Sequence, residues 1–92
     1  MNDLIPKSSK FQWRQTGPVC PVQFDIYHNN DRIAYFRFRE GILSVYNYDE
    51  NEIEDDLIYI DETTYKGSCL FQEEFDEIIP IVEQKIIEYL VV

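Results

Sequence analysis

The 92-residue chain carries eight Lys or Arg against eighteen Asp or Glu, a net charge of −10, with 45% hydrophobic residues that include seven Tyr, six Phe and one Trp. This is enough for one domain with a modest core, too apolar and aromatic for a disordered chain, and too small for a core plus a deep catalytic cleft. No run approaches the roughly 18 apolar residues of a membrane span, and the Met1 end lacks the basic and apolar regions of a signal peptide, so a cytoplasmic protein without membrane association is expected.

Residues 1–10 contain Asn2, Asp3, Pro6, Ser8 and Ser9 with no sustained period, and read as a flexible lead-in to a single α+β domain over 11–92. Phe11, Gln12 and Trp13 alternate like a short edge strand, with Trp13 as a lid on the core. Gly17, Pro18 and Pro21 then exclude a helix. Val22, Phe24 and Ile26 alternate with Gln23, Asp25 and Tyr27, the pattern of a half-buried strand. A three-residue loop of Asn29, Asn30 and Asp31 would set Ile26 opposite Ala34, Phe24 opposite Phe36 and Val22 opposite Phe38.

The stretch from Asp31 to Tyr48 reads as the central hairpin, turning at Glu40 and Gly41. A two-residue turn there places Phe38 opposite Leu43 and Phe36 opposite Val45, which makes one face apolar. The other face then carries Arg39 beside Ile42, Arg37 beside Ser44, Tyr35 beside Tyr46 and Ile33 beside Tyr48. Such a turn requires positive φ at Glu40. The run from Asp49 to Asp56 holds six acids in eight residues and reads as a solvated loop. Leu57 to Ile60 is the fourth strand, and residues 61–67 turn the chain.

Phe75, Ile78, Ile79, Val82, Ile86, Tyr89 and Leu90 recur at steps of three and four, one face of an α-helix. Glu73, Glu74, Asp76 and Glu77 suit the positive end of its dipole. Pro80 predicts a kink or a break, with one continuous buried face. The expected fold is thus α+β: an antiparallel meander of about four strands with one C-terminal amphipathic helix packed on one face.

Sites of chemistry are scarce. His28 is the single histidine, beside a predicted turn, and is a solvated turn residue unless a catalytic scheme recruits it. Cys20 and Cys69 sit in no CxxC or Cys-His spacing and read as two free buried thiols. The acidic run fails as an EF-hand, because its fifth and sixth residues are Ile53 and Glu54. The three glycines are isolated, which excludes a phosphate loop. No enzyme, metal or cofactor is therefore expected.

Charge is the most informative feature. Residues 1–40 carry six Lys or Arg against four Asp or Glu, whereas residues 41–92 carry two against fourteen. The second half repels phosphate backbones, so direct nucleic-acid binding is not expected and a basic protein surface is the natural partner. The expected function is a non-catalytic inhibitor that blocks the nucleic-acid-binding surface of a nuclease or similar protein, of the kind phages make against bacterial defence nucleases. Its binding residues would be Asp49, Glu50, Glu52, Glu54, Asp55 and Asp56, extended by Asp61 and Glu62 and anchored by Tyr46 and Tyr48, with Glu73, Glu74 and Glu77 as a further patch. Two alternatives stand beside it: an immunity protein for a basic toxin, and an interaction or self-association domain docking through Tyr35, Arg37 and Arg39. The chain would act as a monomer or homodimer.

Overall fold

The computed structural model describes residues 4–7, 10–17, 20–48, 57–63 and 67–91. Five strands, β1 (Gln12–Gln15), β2 (Val22–His28), β3 (Asp31–Arg39), β4 (Ile42–Asn47) and β5 (Leu57–Glu62), precede one helix, α1 (Gln72–Val91). The strands form a single antiparallel sheet in sequence order, β1-β2-β3-β4-β5. The α+β class is as expected, with one strand more than four, because the Trp13 segment pairs fully with β2.

Both predicted registers are present. Val22, Phe24 and Ile26 face Phe38, Phe36 and Ala34, and Phe36 and Phe38 face Val45 and Leu43. The first connection differs from expectation: it is a two-residue turn at Asn29 and Asn30, both at positive φ, and Asp31 already pairs with His28. A β-bulge restores the register, since Tyr27 pairs with Arg32 but Ile26 with Ala34, leaving Ile33 as the extra residue. The second turn is tight, with Glu40 at φ 53° and Gly41 at 78°. A non-glycine residue in that region costs about 1–2 kcal/mol. Surrounding bonds offset it: Glu40 N–H donates to Ser68 Oγ at 3.1 Å and Gly41 N–H to the Gly67 carbonyl at 2.8 Å. The Gly41 carbonyl accepts from the Thr63 N–H and hydroxyl at 2.9 and 2.7 Å.

One face of the sheet, together with Trp13, is covered by the helix. Val22, Phe24, Ile26, Ala34, Phe36, Phe38, Leu43 and Val45 meet Phe75, Ile78, Ile79, Val82 and Ile86 in one core, joined by Leu4, Phe11 and Leu70. The helix runs unbroken through Pro80, which lies on its exposed side. The apolar stripe ends earlier than its spacing predicts, because Tyr89 and Leu90 are exposed. Phe71 N–H donates to Glu74 Oε1 at 2.8 Å, half of a capping box. Residues 4–7, read from the sequence as lead-in, lie against this helix. Gln72 exchanges two 2.8 Å hydrogen bonds with the Ile5 backbone, Lys7 pairs with Asp76 at 3.6 Å, and Leu4 is buried.

A buried carboxylate interrupts the apolar layer. Glu83, only 4% exposed, accepts a 3.2 Å hydrogen bond from the Trp13 indole. Glu83→Ala would strand that donor and is expected to lower stability by about 1–3 kcal/mol, while Glu83→Gln keeps an acceptor and should lose less. Urea unfolding of both variants checks this, and equal losses would contradict it.

Cys20 and Cys69 correct a sequence expectation. They form a disulfide with Cα atoms 4.9 Å apart, and Cys69 is exposed, so they are neither free nor buried thiols. Residues 67–69 run beside the start of β2, where Val22 N–H donates to the Ser68 carbonyl at 3.2 Å. That alignment, and no local spacing, brings the sulfurs together.

Candidate functional site

The strand alternation that sends apolar side chains toward α1 sends a different set to the opposite, helix-free face. Across the strands this face presents Arg14, Asp25, Tyr35 and Tyr46 in one row, and Gln23, Arg37, Ser44 and Ile60 in the next. All four arginines of the chain belong to it. Arg14 lies over the Tyr27 ring at 5.1 Å, and Arg32 over the Tyr48 ring at 3.9 Å. Tyr35 and Tyr46 face each other at 6.3 Å.

Arg32 also approaches Asp25, its Nη2 lying 2.9 Å from Oδ1. The same Oδ1 has no well-directed hydrogen bond, so the contact is a charge pair set by distance and not by angle. Asp25 is 9% exposed, and Arg32 is what keeps that buried carboxylate compensated. Arg37 and Arg39 are different. Among the described residues neither has a carboxylate within ion-pair distance, and Arg37 Nε is buried without a hydrogen-bond acceptor. With Glu40, Ile42 and Ser44 they line a shallow recess of about 230 Å³. Ile42, 39% exposed, lines it, and two more exposed apolar side chains share the face on β5: Ile60 at 55%, opposite Ser44, and Leu57 at 48%, opposite Tyr46.

A second group of carboxylates lies along β5 and α1. Asp61, Glu62 and Glu77 line one cleft of about 370 Å³ between β5 and α1, over an apolar floor of Leu43, Ile78 and Ile81. The Tyr59 phenol lies in this cleft, pushed above its ordinary 10.0 by burial first, then by the charge of Asp61 and a hydrogen bond to it. Lys85 sits over the Tyr59 ring at 5.4 Å and reaches Glu88 at 3.8 Å. The helix itself carries six carboxylates against that one lysine.

The predicted site residues are thus redistributed. Asp49, Glu50, Glu52, Glu54, Asp55 and Asp56 lie outside the described residues. Asp61 and Glu62 join Glu77 in the β5–α1 cleft; Glu73 is exposed nearby on the first helical turn, and Glu74 is engaged in capping. Tyr46 lies beside Tyr35 on the arginine face, as the hairpin register predicts, and the Tyr48 ring lies under Arg32. Arg14, Arg32 and Tyr27 on that face were not singled out. Arg14 and Tyr27 have the right alternation, whereas Arg32 has the parity of Ala34 and reaches the outer face only through the bulge at Ile33.

His28 is exposed at the end of β2, edge-on to Phe11 at 5.7 Å and 3.3 Å from the Asn29 amide. Among the described residues no group of three or more His, Cys, Asp or Glu is placed to hold a metal ion, and no helix is long and apolar enough to cross a membrane. No family model, curated protein or solved structure matches the chain.

Proposed function

We propose that this chain is a non-catalytic protein-binding domain that occupies a basic, nucleic-acid-binding surface of another protein, as phage-made inhibitors of defence nucleases do. The observation that carries the reading is the segregation of charge. Every arginine projects from the helix-free face, against Asp25 and Glu40 there, while the β5–α1 side brings Asp61, Glu62 and Glu77 into one cleft with Lys85 beside it. Carboxylates on that side favour a cationic surface and raise its encounter rate, an effect that salt screens. The acids from Asp49 to Asp56 would extend this field by sequence alone.

Action in the cytoplasm accompanies this reading, because nucleases that guard a cell work there. Disulfides persist mainly in oxidising compartments, so the domain would have to keep its fold with Cys20 and Cys69 reduced. A basic toxin would be met by the same carboxylates. Neutralising Asp61, Glu62 and Glu77 together as Asn and Gln is expected to weaken binding to a cationic partner about tenfold or more and to flatten its dependence on salt. Titration of the partner at low and high salt checks this. Unchanged affinity in that variant and in one neutralised from Asp49 to Asp56 would remove the proposal.

A second reading, docking through the Arg-Tyr face, is supported by Arg37 and Arg39, which have no carboxylate partner among the described residues. Guanidinium and phenol side chains beside exposed apolar ones are the composition of binding hot spots.

A further inference from the structure

We infer that the helix-free sheet face binds an acidic, extended segment of a partner protein, with its carboxylates on Arg37 and Arg39. This rests on the second reading above and names the chemistry that the surface takes. Arg37 and Arg39 are two apart on β3, so both project to the same side, roughly 7 Å from one another along the strand. A second extended chain places alternate side chains at the same interval. Carboxylates at alternate positions of such a segment therefore meet both guanidiniums at once.

The local electrostatics favour an anion. Two guanidiniums and one carboxylate, Glu40, line the recess, and Glu40 is not within ion-pair distance of either arginine. Neither arginine is paired with a carboxylate among the described residues, which leaves their guanidinium charge uncompensated on this face. Guanidinium forks are suited to carboxylates, with charge-assisted bonds stronger than neutral ones. Arg32, whose Nε is likewise buried without an acceptor, differs in having Asp25 and the Tyr48 ring against its guanidinium, and Arg14 lies over Tyr27.

Two features choose a protein segment over a nucleic acid. The molecule as a whole is at −10, which opposes any anion, so a short segment that sets two carboxylates on Arg37 and Arg39 is favoured over a long phosphate strand whose charges run on past the arginines. Exposed Ile42 lines the recess, and Ile60 and Leu57 lie on the same face opposite Ser44 and Tyr46, which suits the apolar side chains interleaved between a segment's carboxylates. Tyr35 and Tyr46 continue that face with phenol groups that can hydrogen-bond.

The test uses the full chain and fluorescence anisotropy of three labelled probes: a short peptide alternating Glu and Val, its Gln and Val counterpart, and a thymidine oligonucleotide. Preferential binding of the Glu peptide, weakened about tenfold or more by Arg37→Gln with Arg39→Gln but not by Lys85→Gln on the opposite side, is the expected result. Equal binding of the Gln peptide, or indifference to the double variant, overturns the proposal. Tighter binding of the oligonucleotide overturns it in favour of phosphate. Concentration-dependent self-association abolished by the double variant overturns it in favour of a second copy. Tyr35→Ala with Tyr46→Ala, tested in a pull-down beside the double variant, separates the two levels. A captured protein lost with either variant, without Glu-peptide binding, leaves the docking face standing and removes the acidic segment. A lack of effect from both variants on probes and on capture removes the docking reading as well.

Discussion

Phe75→Ala is expected to lower the unfolding free energy by about 3–5 kcal/mol. The ring is fully buried and is the point at which helix and sheet lock together. It stacks on Phe24 at 5.0 Å and 21°, meets Trp13 edge-on at 5.6 Å and lies 6.3 Å from Phe36. Removing it deletes apolar contact with two strands and with the Trp13 lid together, and rigid β-strand backbones on one side limit how far the cavity can collapse. A domain of this size has about 5–15 kcal/mol in all, so the variant should be near the edge of folding. The melting temperature would fall by roughly 15–30 °C. Phe71, four residues earlier and 73% exposed, is the internal comparison, since Phe71→Ala should change stability by less than about 0.5 kcal/mol. Equal losses at the two positions in urea unfolding would contradict the docking of α1 described above.

Opening the Cys20–Cys69 bond is expected to cost about 2–4 kcal/mol. The two residues are 49 apart, and loop closure over that length corresponds to about 4 kcal/mol at most from chain entropy. Exposed Cys69 gives a reductant access. The native arrangement should nevertheless survive, because the Val22 to Ser68 and Gly41 to Gly67 backbone bonds hold the same segment against β2 and the β3–β4 turn. Urea unfolding with and without dithiothreitol, and of a Cys20→Ser, Cys69→Ser variant, measures the difference. Two freely titrating thiols in protein purified without reductant would overturn the assignment. The size of the loss also bears on the proposed site of action, since a domain that unfolds on reduction could not work in a reducing cytoplasm.

The central meander and the helix were legible because their periodicity is local. Val22, Phe24 and Ile26, then Ala34, Phe36 and Phe38, then Leu43 and Val45 each mark one face at a period of two. Shifting any of these strands by one residue would turn its core side chains to water. Phe75, Ile78, Ile79, Val82 and Ile86 do the same at the helical period. The candidate site was only partly legible. Tyr35, Arg37, Arg39 and Tyr46 followed from alternation, but their company did not. Glu83 was hidden because a carboxylate on a helix reads as solvated until the Trp13 indole is brought to it from 70 residues away.

What this sequence determined by itself is therefore whatever depends on neighbours in the chain: the apolar faces, the Glu40-Gly41 turn, the helix and the imbalance of charge between its halves. Tertiary structure decided which side chains share a surface. A single bulge at Ile33 turns Arg32, whose parity matches the core residue Ala34, out to Asp25 and Tyr48. Another, at Ile58, sets Leu57 opposite Tyr46, on the face away from the helix. The pairing of Cys20 with Cys69 has the same origin. Each depends on a contact between distant segments that pays its ordering entropy only once the sheet has assembled, so no local pattern records it.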